Sequence, residues 1–409
     1  MGARRLWACA AALSWACWTG AVAQSGEPAG ALPAVVHTQA QWEAVLASSQ
    51  DSPLDALTPY GKRAFLHSVR WGDRGLAGFG IGPLVRELDA GQAAAVLAFL
   101  DSSAYLPMVE SNMAGPPLRF PEPDPQLEGA LVRFERQLDT AMSLDDGASS
   151  RRPQAPLQDY LDTFAPRMDA AALQGEALGN LPLLFAAASR AAQAYPGTAP
   201  SRHLQQVHRE LARRGIDTRR GLDAELLEVL VAARAFDEAR AFAATRPHLA
   251  RRPVPNVVDA LGPGSQGRSV YRYDAGTRTL VRESAPAPAG LQLVMMVGAG
   301  CHFSRDALAA LHEDAALRAR LQAAHLMLVT EPGTAVQPDF IAAWNAGNPS
   351  LPMTAPYNVA EWRDLDAASV PRFYLLKDGR VIDQVQGWPQ GGNRAALAAM
   401  LDRAQLSRF

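Results

Sequence analysis

Apolar residues recur at helical spacing between about residues 37 and 250 of the chain. Thr38 followed by Gln41 is a capping-box signal placed directly before such an apolar run. Farther along, the stretch LLEVLVAARAFDEARAFA carries the helical pattern on both sides of a tight joint. We therefore predict an all-α helical region over 37–250, either as one domain or as two subdomains that meet near 144–156.

The pattern changes after this region. SVYRYD and TLVRES alternate with a period of two around a glycine turn, which predicts a linker and β-hairpin over 251–290. From Leu291 onward the pattern predicts the order β-α-β-α-β-β-α, with a long loop before the last two strands. Those strands form a hairpin that turns at Asp378 and Gly379. The chain is therefore expected to be multidomain, with an α/β domain over 291–409.

The composition is that of an ordinary globular protein. Of the 409 residues, 48% are hydrophobic and 20% are charged, and the formal net charge is -2. This balance gives no basic surface of the kind that binds a phosphate backbone, so no nucleic-acid partner is predicted. Lys62 and Lys377 are the only lysines. Because the arginines are scattered among acidic residues, we attribute their excess to a composition bias.

The N-terminus has the three parts of an export signal. Arg4 and Arg5 precede an apolar run, and a small-x-small sequence ends at Ala23. We predict a signal peptide over 1–23 and a flexible lead-in over 24–36. The mature protein is then expected to be periplasmic or secreted, with no stable membrane span after cleavage.

Cleavage at this point would leave one cysteine. Cys9 and Cys17 lie within the predicted signal peptide, so Cys301 has no intramolecular partner. Cys301 stands in GAGCHFSRDAL, directly after the first strand of the α/β region and at the start of a helix. Unpaired N–H groups at a helix N-terminus favour the thiolate over the thiol, and His302 adds to this effect when it is protonated.

Two motifs make this region similar to the thioredoxin-like superfamily. Cys301 begins a degenerate C-x-x-S site that ends at Ser304, and Val370-Pro371 directly precede the third core strand. The resemblance implies a thioredoxin-like fold, with Cys301 as the attacking nucleophile and a cis Pro371 that holds a partner's backbone beside the sulfur. Ser304 stands in place of a resolving cysteine. Its hydroxyl can donate a hydrogen bond to a thiolate, but its oxygen cannot displace a mixed disulfide.

Three interpretations of Cys301 stay open. The thiol forms mixed disulfides that an outside thiol resolves, or it is a relic on a fold kept as a binding surface, or it is an inert core residue. We predict an exported thioredoxin-like module with a binding or chaperone-type role. Its expected partner is an envelope client protein or a thiol-bearing protein. The alternative is a monothiol disulfide oxidoreductase, so the sequence leaves open whether the protein is an enzyme.

No cofactor and no metal site are predicted. His203 and His208 are five residues apart and do not share a helix face, as two zinc ligands would. The glycine-rich stretch RWGDRGLAGFGIG lacks the lysine and hydroxyl of a phosphate loop, so we expect a connecting loop packed by Trp71 and Phe79. The helical hairpin in LLEVLVAARAFDEARAFA weakly resembles a tetratricopeptide repeat. The candidate site consists of Cys301, His302, Ser304 and Pro371.

Overall fold

The computed structural model describes residues 35–48, 50–72, 75–143, 152–365, 369–389 and 391–406. The predicted signal peptide and most of the predicted lead-in lie outside these residues, as does most of the segment 144–156. Within the described ranges, no helix is long and apolar enough to cross a membrane.

The first part of the chain is helical, as its periodicity predicted. The capping box of Thr38 and Gln41 begins the first helix, and Asp89 with Gln92 begins the fourth in the same way. Short 3-10 turns connect several of the helices. The α-helices of this part are α1 (Gln39–Ala47), α2 (Pro59–Ser68), α3 (Gly82–Glu87), α4 (Ala90–Phe99), α5 (Leu106–Glu110), α6 (Pro125–Ser143), α7 (Ala155–Thr163), α8 (Ala170–Gly175), α9 (Leu181–Ala194), α10 (Ala199–Arg213), α11 (Leu222–Ala232) and α12 (Phe236–Ala244).

The glycine-rich stretch after α2 forms a short antiparallel hairpin, and the prediction of a connecting loop is wrong. β1 (Arg70–Gly72) pairs with β2 (Gly75–Gly78). Trp71 and Phe79 pack against the neighbouring hydrophobic cluster, as expected. Strands β1 and β2 were not predicted, because glycine is depleted in strands and gives no alternation of polar and apolar side chains.

Two hydrophobic clusters divide the helical part. The first gathers buried side chains from Val36 to Val109, whereas the second begins at Leu118 and continues into the sheet described below. Arg220 joins the two regions, because its guanidinium donates to the backbone oxygen of Val85, at 2.7 Å, and to that of Leu88. The domain boundaries inferred from the sequence stay predictions.

A mixed sheet of eight strands lies in the C-terminal part of the described chain. Its strands are β3 (Asn256–Asp259), β4 (Ser269–Asp274), β5 (Thr279–Ser284), β6 (Leu291–Val297), β7 (Met327–Thr330), β8 (Met353–Pro356), β9 (Arg372–Lys377) and β10 (Arg380–Gln386). Their order across the sheet is β10-β9-β6-β7-β8-β4-β5-β3. Strands β6, β7 and β8 are parallel, while β9 is antiparallel to β6 and β10 is antiparallel to β9.

Helices cover one face of this sheet. They are α13 (His302–Glu313), α14 (Ala315–Ala323), α15 (Pro338–Gly347) and α16 (Arg394–Leu406). Leu308 of α13 and Ile341 of α15 share a cluster with Leu293 of β6. The neighbouring Val294 belongs to a different cluster, with Trp362, because successive side chains of a strand point to opposite faces.

The elements around Cys301 and Pro371 are arranged as the thioredoxin-like resemblance implies. Strand β6, helix α13 and strand β7 form a parallel unit with Cys301 at its first junction, and Pro371 directly precedes β9. Strands β9 and β10 form the predicted hairpin, whose turn residues Asp378 and Gly379 have φ of 50° and 78°. The C-terminal part of the described chain therefore has a thioredoxin-like α/β fold.

Three features of this part differ from the prediction. The first predicted helix is two helices, because Asp314 ends α13 and caps α14 by accepting from the N–H of Leu317. The predicted long loop contains β8. The hairpin β4–β5 extends the sheet, because Val270 and Tyr271 of β4 pair with β8. Strand β8 has four residues and ends in proline, so its stability comes from pairing on both edges and not from local propensity.

Candidate functional site

Cys301 lies where the sequence analysis placed it, between the central strand β6 and helix α13. It is the N-cap residue of α13, with φ of -89° and ψ of 117°, and its side chain is partly exposed. Its Sγ donates a hydrogen bond to the backbone oxygen of Val370 at 3.2 Å. Because the thiol is partly exposed, Cys301 is not a fully buried core residue, while its reactivity stays a prediction.

The chain segment of Pro371 lies against the same thiol, although 69 residues separate Val370 from Cys301. The peptide bond between Val370 and Pro371 is cis. Gly298 makes this close approach possible: a Cβ on Gly298 would lie 2.9 Å from Cγ2 of Val370 and 3.7 Å from Cβ of Cys301. A side chain at position 298 would collide with Cγ2 of Val370, so either Val370 or the loop of Gly298 would have to shift. The structure thus brings Cys301 and Pro371 together, while their roles in catalysis stay predictions.

Ser304 lies in the first turn of α13, three residues after Cys301. Its side chain is fully buried, and its Oγ accepts a hydrogen bond from the N–H of Gly298 at 3.1 Å. This bond ties the loop before Cys301 to the first turn of α13. In the structure Ser304 is thus a support of the loop, and its action on a thiolate stays a prediction.

His302 and Phe303 form the exposed edge of the site. Their ring centroids lie 3.8 Å apart, and Phe303 exposes 38% of its surface. His302 is also exposed, in the first turn of the helix that Cys301 caps. The pair gives the surface beside the thiol one apolar ring and one ring that can carry a positive charge.

Glu331 is a polar neighbour of the site that the sequence analysis missed. Its N–H donates to the backbone oxygen of Val297, at the end of β6. A Cβ on Gly298 would lie 3.6 Å from Oε2 of Glu331 and 3.7 Å from Cβ of Cys301, so the carboxylate and the cysteine both lie beside Gly298. The signal was present in the sequence, because Glu331 directly follows β7 and the carboxyl ends of adjacent parallel strands meet at one edge of a sheet.

Two histidines that the sequence analysis considered as metal ligands have other partners. His203 Nδ1 lies 2.9 Å from the hydroxyl of Tyr160, and His208 Nε2 lies 2.6 Å from Oδ1 of Asp223. Across the residues that the structure describes, no group of three or more His, Cys, Asp or Glu side chains is arranged to hold a metal ion.

Comparison with known proteins gives one structural neighbour to report. No protein-family model matches the chain, and no curated protein matches it. A crystal structure of a thioredoxin-like protein from Bacteroides caccae ATCC 43185 is similar to it, with 12% sequence identity and a TM-score of 0.25. The match covers 70% of this chain and 99% of that chain. At this score we base the fold on the strand pairings described above.

Proposed function

We propose that this protein is exported to the periplasm or secreted, and that it binds envelope client proteins through the surface around Cys301. Clients that carry a disulfide are captured there as mixed disulfides. The observation that carries the proposal is the position of Cys301: a partly exposed thiol at the N-terminus of α13, in contact with the segment Val370-Pro371.

The exchange step involves three sulfur atoms. The Cys301 thiolate attacks one sulfur of a client disulfide, a bond forms between the two sulfurs, and the second client sulfur leaves as a thiolate. An outside thiol, from a small molecule such as glutathione or from another protein, then attacks the mixed disulfide. That step returns the Cys301 thiolate and leaves the client joined to the outside thiol. An outside thiol is needed because Ser304 has no sulfur to offer.

Reaction with glutathione disulfide tests the thiol chemistry. The purified protein should gain one glutathionyl group at Cys301, detected by intact mass, and should lose it when reduced glutathione is added. The matched control is the same protein unfolded in urea, in which the Cys301 thiol no longer lies at a helix N-terminus. Exchange in the folded protein that is no faster than in the unfolded chain would contradict the proposal.

Ser304→Cys provides a second test of the geometry. The side chains at the N-cap and N3 positions of a helix lie close enough to interact, and Cys301 and Ser304 occupy these positions in α13. We expect the variant to release glutathione without an outside thiol and to form an internal disulfide between positions 301 and 304. A persistent mixed disulfide in this variant would show that the two side chains do not face each other.

A second candidate function is client binding without thiol chemistry, and the exposed ring of Phe303 favours it. The two candidates differ in their response to substitution. Cys301→Ser should abolish covalent capture and leave reversible binding of a reduced, unfolded client intact, whereas Phe303→Ala should weaken that reversible binding. A client that binds both variants as it binds the wild type does not use this surface.

The export proposal has its own test. The protein recovered from the periplasmic or secreted fraction of the native cell should begin at Gln24, the residue after the predicted cleavage site. Recovery in the cytoplasm with an intact N-terminus would contradict it.

A further inference from the structure

A cleft of about 590 Å³ lies between the helical part and the sheet, and Cys301 is not among the residues that line it. Its walls are the C-terminal half of α11, the connecting segment 251–255, and residues 333–340 at the start of α15. Its volume is within the range of roughly 300–1,000 Å³ that is usual for small-molecule sites. The cleft is thus large enough for a small organic ligand.

The lining of the cleft is apolar over much of its surface. Leu227 and Val231 of α11 form one side, and Val336 and Phe340 form the opposite side. Leu227, Val231 and Val336 are each less than a tenth exposed, so they present fixed side chains set in the core. An apolar ligand body would gain free energy here by displacing water from these walls.

Charged groups stand at the edges of the cleft. Arg252 is neutralised by Glu228, with its Nη1 2.6 Å from the carboxylate, and donates to Asn112 at 3.0 Å. Arg251 and Arg278 are exposed, and among the described residues neither side chain has a hydrogen bond or an ion pair. Apart from the Arg252–Glu228 pair, the lining contains two arginines, Arg251 and Arg278, and one carboxylate, Asp339. The net charge of these three side chains is positive.

The walls are held in place before any ligand arrives. Arg234 donates from Nη1 to the backbone oxygen of Thr334 at 2.7 Å, which ties the helical side of the cleft to the opposite loop. Pro253, Pro255 and Pro338 also line the cleft, and they restrict the backbone of the two walls outside α11. A preformed site loses little conformational freedom on binding, which favours affinity.

We propose that this cleft binds a small organic carboxylate with an apolar body. The body lies against Leu227, Val231, Val336 and Phe340, and the carboxylate accepts charged hydrogen bonds from Arg251 and Arg278. The site is separate from Cys301, so its occupancy does not depend on the thiol chemistry proposed above.

Titration of the full-length mature protein with decanoate, followed by calorimetry below the micellar concentration, tests the proposal. Decyltrimethylammonium has an alkyl chain of the same length and the opposite charge, and it serves as the ligand control. We expect a single site for decanoate and at least tenfold weaker binding of the cation. Equal affinity for the two ligands would overturn the proposal, because the arginines would then contribute nothing.

Substitutions locate the site. Arg251→Gln and Arg278→Gln should each weaken decanoate binding by roughly tenfold, the usual effect of losing a hydrogen bond to a charged group. Arg209→Gln is the matched control, because Arg209 is an exposed arginine of α10 whose side chain, among the described residues, bonds only to the backbone oxygen of Gln205. It should bind as the wild type does.

Ala335→Trp fills the cleft with a large ring and should remove binding, with its unfolding in urea measured to confirm that it folds. If it does not fold, the arginine variants decide. Wild-type affinity in a folded Ala335→Trp protein, or in the Arg251→Gln/Arg278→Gln double variant, would overturn the proposal.

Discussion

At the scale of single residues, a few buried arginines bind backbone carbonyl groups or carboxylates. Arg220 is 4% exposed and donates to the oxygens of Val85, at 2.7 Å, and Gly115, at 2.6 Å. Arg282 is 6% exposed and reaches Asp259 and Glu361. The planar guanidinium has five donors, so one side chain can satisfy several oxygens, which a lysine cannot do in this geometry. Scattered arginines that suggested a composition bias therefore include structural residues.

The buried carboxylate of Asp223 has three basic side chains around it. His208 Nε2 lies 2.6 Å from Oδ1, while His248 Nε2 and Arg246 Nε lie 2.9 Å and 3.3 Å from Oδ2. Burial alone raises the pKa of Asp223, but the hydrogen bonds from His208 and Thr218 outweigh it, so the pKa lies below its usual value of 3.8. The carboxylate connects α10, α11 and the segment that leads to the sheet.

Asp223→Asn should destabilise the protein by about 3 kcal/mol at neutral pH, because it removes one partner of a buried charged group. A carboxyl group whose pKa is lower in the folded state stabilises the protein above its unfolded pKa. That contribution is lost as the pH falls through the lower, folded pKa. The difference between wild type and variant should therefore shrink as the pH falls below about 4. Urea unfolding at a series of pH values measures it.

Asp237→Asn is the matched control for this prediction, because the Asp237 side chain is 98% exposed and pairs only at the surface. Its free energy of unfolding should stay within about 0.5 kcal/mol of the wild type. A difference between wild type and Asp223→Asn that is independent of pH would contradict the assignment of a charged carboxylate to Asp223.

At the scale of elements, the junction between α11 and α12 connects the helical part to the sheet. Arg234 stands at this junction in the left-handed region, with φ of 63°. Its side chain donates to the backbone oxygens of Thr334, at 2.7 Å, Tyr357, at 3.0 Å, and Pro356, at 3.1 Å. Burial lowers the pKa of Arg234 to about 10. The similarity of this hairpin to a tetratricopeptide repeat is limited to the one unit and stays a hypothesis.

Two substitutions of Arg234 distinguish the contribution of its side-chain hydrogen bonds to stability from that of its backbone conformation. Arg234→Ala and Arg234→Gly both leave the three carbonyl groups without a donor, so both should lose about 2 kcal/mol or more of stability. The glycine variant should be more stable than the alanine variant by about 1 kcal/mol, because glycine adopts positive φ without strain. Urea unfolding of both variants, with Arg209→Ala as the exposed control, makes the comparison. Equal stability of the two Arg234 variants would contradict the strain argument.

At the scale of the whole molecule, one hydrophobic cluster includes side chains of both the helical part and the sheet. Phe236 of α12 packs edge-on against Tyr271 of β4, with ring centroids 5.7 Å apart. The cluster from Val36 to Val109 is separate. Polar contacts such as those of Arg220 join it to the rest, and Tyr60 of α2 packs against the larger cluster. We infer that the larger cluster opens as one cooperative unit.

Phe236→Ala and Leu97→Ala test this inference. Both remove a buried side chain, and each should cost about 2–5 kcal/mol. Measured by hydrogen exchange, Phe236→Ala should increase exchange in α9 to α12 and in the sheet together. Leu97→Ala should increase it mainly in α1 to α5. Exchange that rises only on the helical side in Phe236→Ala would show that the sheet opens independently.

Interactions between residues close in the sequence were sufficient to predict many of the helices, strands and turns. Thr38 and Gln41 fix the start of α1 through contacts within four residues, and Asp378-Gly379 fix the turn between β9 and β10. The position of Cys301 at the start of α13 follows from an apolar strand directly before a helical pattern. These predictions hold because the deciding interactions are between near neighbours in the chain.

Tertiary structure alone decided the rest. Strand β8 exists because it pairs with β7 and β4, and neither partner is near it in the sequence. The burial of Ser304, the approach of Glu331 to Gly298 and the cleft beside Val336 likewise depend on segments that meet only in the folded chain. The periodicity of a sequence gives the face that each element buries, but not the distant residue that it will contact. The sequence by itself thus determined the elements and the place of the thiol, while the packing of distant elements determined its surroundings.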